Sequence, residues 1–272
     1  MIIDTHAHIG KLLTFDMTTE QILYSMDQYG VDFSLISNIE AAEGDHEGNP
    51  VPAELQKPQN QILLNTLSEA KKAPDRLGVL PWLKIRQELP DEEFISLLRE
   101  NRGLIYGFKL HPFHSRTAPD EERLEPIYRL AAEYGLPVVS HTGGCEEAMS
   151  RHLFNAAKRH PELDFVMVHM DLGTDNRQAL ELLGKLPNLY GDTTWVPVKS
   201  TLYAIKQCGS EKILFGTDNP IDGREHMRYN RAGQRSLCQE YFNEFKTMVS
   251  AQDYENIMHK NAERLFGITP VS

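Results

Sequence analysis

Eight short apolar runs, rich in β-branched residues, recur along the chain between longer polar or amphipathic stretches. They are IID at 2–4, DFSLIS at 32–37, LGVLPWL at 77–83, LIYGFKL at 104–110, LPVVSH at 136–141, LDFVMVH at 163–169, NLYGDT at 188–193 and KILFGT at 212–217. Their apolar residues are mostly contiguous, which suits strands buried on both faces, as in a parallel sheet. The stretches between them read as helices. Thr18-Thr19-Glu20-Gln21 has the form of a capping box ahead of Ile22, Leu23 and Met26. Pro119 to Leu124 leads a predicted helix that runs to Tyr134 and is stopped by Gly135. A further helix is expected from Glu147 to Arg159, and a last one opens at Ser250–Asp253 and ends at Gly267.

Eight strand–helix units in one α/β chain predict a (β/α)8 TIM barrel, a single domain over residues 1–272. The alternative is an open doubly wound sheet. That fold would need a Gly-rich phosphate turn after its first strand, and His6-Ala7-His8-Ile9-Gly10 is not one. Two long loops, 38–58 and 219–235, should both emerge at the C-terminal face of the barrel, where active sites of this fold lie.

The chain carries 39 acidic and 28 basic side chains, a net charge of -11, which disfavours nucleic acid and anionic membranes as partners. Its three cysteines, Cys145, Cys208 and Cys238, have no paired spacing, so a reducing, cytoplasmic setting is expected. No apolar run approaches the ~20 residues of a membrane span. The expected partner is a small-molecule substrate, and a symmetric homodimer is the default assembly.

The chemistry collects where strands end. The first run leads into His6 and His8, the fifth ends at His141, the sixth at His169, and the eighth leads to Asp218. Side chains separated by one residue share a strand face, so His6 and His8 can both point into the barrel mouth. Imidazoles and a carboxylate gathered there suit Zn²⁺, Mn²⁺ or Fe²⁺.

The segments IIDTHAH, VVSHTGG, VMVHMD and LFGTDNP, with a closing NAERLFGI, resemble the amidohydrolase superfamily, in the compact branch of amidohydrolase 2 proteins and related decarboxylases. The resemblance implies a divalent metal, most simply zinc, as one or two ions at the strand ends. Carried over position by position, His6, His8, His141 and Asp218 contact the metal, and His169 sits beside it as a catalytic or second-metal residue. A divalent ion lowers the pKa of a coordinated water to about 7. Asp218 would then take a proton from that water, while the metal or His169 polarises the scissile carbonyl. The implied activity is hydrolysis of an amide, ester or lactone in a small, anionic molecule. Non-oxidative decarboxylation, or hydration, of a small carboxylic acid is the alternative on the same scaffold. A nuclease reading fits poorly, because the fourth strand offers Lys109 where such barrels use a glutamate.

Several residues keep two readings. Lys109, in GFKLHPFH, is either a carboxylated metal bridge or an ammonium that grips a substrate carboxylate. His111 shares its strand parity and should line the mouth, as should Trp195. Asp171, in HMDLG, either bonds a ligand histidine or caps the following helix. Gly143-Gly144 should let the chain approach substrate closely. The segment after Asp218 carries Arg224, Arg228, Arg231 and Arg235. Arg224 is the residue expected to hold a substrate anion.

Overall fold

Each of the eight apolar runs forms a strand. The structure, a computed structural model, describes residues 1–221 and 237–269. Its strands are β1 (Ile3–Leu12), β2 (Phe15–Met17), β3 (Phe33–Asn38), β4 (Leu77–Val79), β5 (Phe108–Leu110), β6 (Val138–Gly143), β7 (Phe165–Leu172), β8 (Leu189–Asp192) and β9 (Ile213–Leu214). All pair in parallel except the hairpin of β1 with β2, and they fall into two sheets, β2-β1-β3-β4 and β5-β6-β7-β8-β9.

Both seams between the sheets are bridged. At one, Trp82 lies opposite Lys109, and Lys109 N donates to Pro81 O at 2.8 Å. At the other, Ala7 lies opposite Asn219, while Thr5 N donates to Phe215 O at 2.9 Å and Asp218 N to His6 O at 2.8 Å. An open doubly wound sheet would leave β4 and β9 as free edges. Here the eight parallel strands close on themselves, and the fold is the (β/α)8 barrel.

Alternation along the strands explains the two main cores. Val138, Phe165, Met167 and Ile213 pack outward against the helices. Their neighbours Val139, Val166, Val168 and Leu214 pack inward with Ile3 and Leu35. Ala262, Phe266 and Ile268 close this inner cluster at the end opposite the histidines.

The helices are α1 (Thr19–Tyr29), α2 (Gln59–Ala70), α3 (Glu92–Glu100), α4 (Pro112–Ser115), α5 (Glu125–Tyr134), α6 (Ser150–Arg159), α7 (Arg177–Leu183) and α8 (Val198–Cys208), before the C-terminal segment. The capping box of α1 is complete: Thr18 Oγ1 accepts from Gln21 N, and Gln21 Oε1 accepts from Thr18 N at 2.8 Å. α5 and α6 begin later than the sequence implies. A 3-10 turn, Glu122–Leu124, precedes α5, and extended Met149 separates the turn Glu146–Ala148 from α6. Ser250 caps the last helical stretch and Gly267 ends it in the left-handed region, with a π-helical turn at Asn256–Lys260 between.

The β1–β2 hairpin was not legible. Its turn lies at Leu13-Thr14, and Leu13 adopts φ 53 without the Gly or Asn that normally marks such a turn. The loop after β3 is not a loose solvated tract. Buried Glu43 accepts from Arg86 N at 3.1 Å and Gln87 N at 2.8 Å, which ties the loop to the chain beyond β4.

Candidate metal centre

Barrel closure brings the two ends of the chain together at the strand tips. Asp218 Oδ1 lies 3.0 Å from His8 Nε2 and 3.5 Å from His6 Nε2, and the two imidazole nitrogens are 2.9 Å apart. One donor atom each from His6, His169 and Asp218 falls within a 4.8 Å cluster. Ligands held at about 2.0–2.1 Å around a tetrahedral zinc lie roughly 3.3 Å from one another. The separations of 2.9, 3.0 and 3.5 Å among His6, His8 and Asp218 are close to that spacing.

The remaining bonds leave lone pairs turned inward. His169 Nδ1–H donates to Thr194 O at 3.2 Å, and His8 Nδ1 meets Ser37 Oγ at 3.1 Å, so the Nε2 atom of each ring is available. His6 turns its Nε2 to the cluster while its Nδ1 faces Asp192 Oδ2 at 3.6 Å, and His141 Nδ1 is buried without a hydrogen-bond partner among the described residues. Buried polar atoms seldom remain unpaired, so a donor set of this kind fits a bound cation.

Backbone strain concentrates at the same place. His169, Trp195 and Asp218 adopt φ of 70, 58 and 65, a left-handed conformation costly for residues with a side chain. His169 lies within β7, and Trp195 and Asp218 follow the ends of β8 and β9; the left-handed backbone re-aims each side chain across the mouth. Trp195 Nε1–H then donates to Asp218 Oδ2 at 2.8 Å and fixes the carboxylate. Burial raises the Asp218 pKa, but His6 and His8 outweigh that and hold it well below the usual carboxylate range.

The match to known families follows this geometry. The amidohydrolase family profile covers residues 3–268. The chain belongs to the amidohydrolase family. Among curated proteins, none matches it. Several solved structures share the fold at low identity. A dihydroxybenzoic acid decarboxylase from Polaromonas sp., with bound manganese and 2-nitroresorcinol, aligns at TM-score 0.70 and 16% identity, covering 98% of this chain and 96% of its own. A probable 2-pyrone-4,6-dicarboxylic acid hydrolase from Acinetobacter baumannii, with citric acid bound, aligns at 0.68 and 16%, covering 98% and 99%. A 4-oxalomesaconate hydratase from Rhodopseudomonas palustris aligns at 0.70 and 17%, covering 98% and 96%.

In this amidohydrolase the sequence-derived residues divide into groups. His6, His8, His169 and Asp218 converge, with His169 in the group that could hold an ion. Lys109, with no exposed surface, also reaches it, with Nζ 3.1 Å from His6 Nε2. Burial lowers its pKa to about 8, against the pull of Asp218 and Asp192. His141 stands one ring further out, its centroid 4.7 Å from His169 and 4.2 Å from parallel His111, which stacks in turn on Trp82 at 4.5 Å. Trp195 and His111 line a cavity of about 320 Å³ above the cluster, with Phe15, Trp82 and Phe113. Arg224, Arg228, Arg231 and Arg235 lie outside the described residues.

Asp171 bonds no ligand histidine among the described residues; its carboxyl instead meets the backbone of Ala179, in the first turn of the following helix α7. It also accepts from Ser150 N at 2.7 Å and Ser150 Oγ at 2.6 Å, at the start of the earlier helix α6. Gly143 does not spend its freedom on substrate: a side chain there would strike the backbone of Leu172 on β7. Gly144 does line the cavity. Cys145 stays a bland residue, since burial pushes its thiol up and away from a reactive thiolate.

One residue beside this cluster was not singled out in the sequence. Asp192, at the tip of β8, accepts from His169 N at 2.8 Å and Thr194 Oγ1 at 2.6 Å, and its Oδ2 lies 3.6 Å from His6 Nδ1. Its place at the end of NLYGDT was the available signal. Asp192→Ala should weaken metal affinity about 10- to 100-fold, because it frees the turn that aims His169. Zinc titration with a competing chelator checks this, and unchanged affinity would remove Asp192 from the site.

The imidazoles also set an acid limit. His114 is buried, donates from Nδ1–H to Gly44 O at 2.5 Å, and has its pKa lowered by burial to about 4. Unfolded, it protonates near 6.5. The unfolded chain therefore takes up the proton first, and stability present above about pH 6.5 is lost as pH falls toward 4, up to roughly 3 kcal/mol from this residue. His111 and His141, also lowered by burial, act in the same direction. Urea midpoints at pH 7 and 4.5 should differ accordingly, and His114→Gln should reduce the difference.

Proposed function

We propose that this amidohydrolase hydrolyses an amide, ester or lactone bond in a small, planar carboxylic acid, with His6, His8, His169 and Asp218 holding the divalent ion and His141 completing the set. Zinc fits the nitrogen-rich donors, with manganese or iron as alternatives. The observation that carries the reading is the placement of Asp218, whose Oδ2 is fixed by Trp195 and whose Oδ1 faces the β1 histidines. When bound, the ion supplies Lewis acidity and a more acidic water. Asp218, ionised across neutral pH, takes the proton of the attacking water at Oδ1 and returns it to the leaving group. Lys109 contributes a buried positive charge 3.1 Å from His6 Nε2, suited to a substrate carboxylate that reaches the donor cluster. The aromatic wall orients a planar molecule and keeps bulk water out.

A second reading, decarboxylation of a small aromatic acid, is favoured by the stacked Trp82–His111–His141 wall, because an apolar pocket destabilises a carboxylate that must leave as CO₂. The structural neighbours include both a decarboxylase and a hydrolase. The test is a panel of lactones, esters and amides of small diacids, together with hydroxybenzoates, run in ¹⁸O-water with metal-loaded protein. Label in the product carboxyl supports hydrolysis. CO₂ release with no label in the organic product supports the second reading. Neither, with metal retained, overturns both.

A further inference from the structure

Beside the inner cavity lies a second space of about 320 Å³, between the β1–β2 hairpin and the loop after β3. The two share Phe15, Ile39, His46 and His114 in their linings. The shared wall is thin. The Phe15 and His46 rings are 5.6 Å apart and tilted, and His46 and His114 are 5.9 Å apart. His46 is exposed, so it is the part of the wall with room to turn.

The outer space differs in chemistry from the inner one. Leu12, Leu13 and Ala42 give it an apolar floor, while Asp45 and Glu47 stand on its rim, with no lysine or arginine among its described lining residues. Asp45 is committed to its own loop, accepting from Glu47 N and Asn49 N at 2.9 Å each. Glu47 is exposed, and among the described residues one of its oxygens accepts from Asn49 Nδ2 at 3.2 Å. The guanidinium of nearby Arg116 is placed against Gly48 and over the Phe113 ring at 4.8 Å.

We infer that the substrate has two parts: a planar acid head in the inner cavity, and a short apolar arm ending in an amine that crosses the Phe15–His46 wall and is met by Glu47. This rests on the proposed reading of the inner cavity as a planar-acid site. The arm's methylenes bury apolar surface against the floor, and the terminal amine meets a carboxylate instead of the cation that a diacid would require.

The two tryptophans of the chain, Trp82 and Trp195, both line the inner cavity, so their fluorescence reports its occupancy without turnover. Zinc-loaded protein is titrated with benzoate, 4-(3-aminopropyl)benzoate and 3-phenylpropylamine. The armed acid should bind about tenfold more tightly than benzoate. Thr14→Phe, at an exposed position of the hairpin, fills the outer space; it should erase that advantage and leave benzoate binding unchanged. Glu47→Gln should reduce the advantage several-fold. Equal affinity of the two acids, or a Thr14→Phe variant that weakens both alike, overturns the inference. If benzoate fails to quench while 3-phenylpropylamine binds and responds to Thr14→Phe, the outer site stands and the acid-head reading falls. If none of the three binds, both are overturned.

Discussion

Asp218→Asn should lose most of its metal and at least about 10³-fold in kcat, the scale of a general base removed together with its ion. The substitution is nearly isosteric, so the Trp195 Nε1–H bond to the side-chain oxygen can persist and the protein should still fold. What changes is charge. The carboxylate faces both His6 and His8, at 3.5 and 3.0 Å. An amide in its place presents either a neutral oxygen or an N–H to nitrogens that need a cation. Elemental analysis should find well under one equivalent of zinc, and excess zinc should restore occupancy but not turnover. Full activity in the refilled variant would take the general-base role away from Asp218.

Lys109→Met decides between the two roles left open for that lysine. We expect one ion per chain in the parent protein and in the variant, with kcat lowered about 10²-fold, the behaviour of a buried ammonium that holds substrate. A carboxylated bridge would instead give two ions in the parent and fewer in the variant. Stability separates the cases further. Lys109 is wholly buried, with Asp218 and Asp192 as its opposing charges. Removing it from metal-free protein should cost about 3 kcal/mol, since it leaves buried acids uncompensated. Zinc should shrink that loss, because the ion replaces the missing positive charge. Urea unfolding with and without zinc, read beside elemental analysis, checks both statements.

Strand existence was legible because strands buried on both faces must be apolar in unbroken runs, and LDFVMVH or LPVVSH has few other ways to be stable in water. Helix ends were legible where a side chain does the capping, as at Thr18 and Ser250. They were misjudged before α5 and α6, where backbone turns set the start and no side-chain cap forms. The hairpin at Leu13 escaped because tertiary packing of Phe15 and Met17 holds a turn that local residues do not favour.

The sequence by itself determined the barrel's strand count and order, and which strand ends carry imidazole or carboxylate. Those follow from periodicity and burial, which are properties of neighbours along the chain. Only the tertiary structure decided which of these groups meet. Asp218 reaches His6 because its own N–H bonds the His6 carbonyl across the closing seam. Asp192 enters the site because the left-handed turn at His169 places that backbone N–H on its carboxylate. Asp171, equally suggestive in the sequence, is turned away to Ser150. Contacts between distant residues depend on closure, register and strain, and none of these leaves a signature in a single segment.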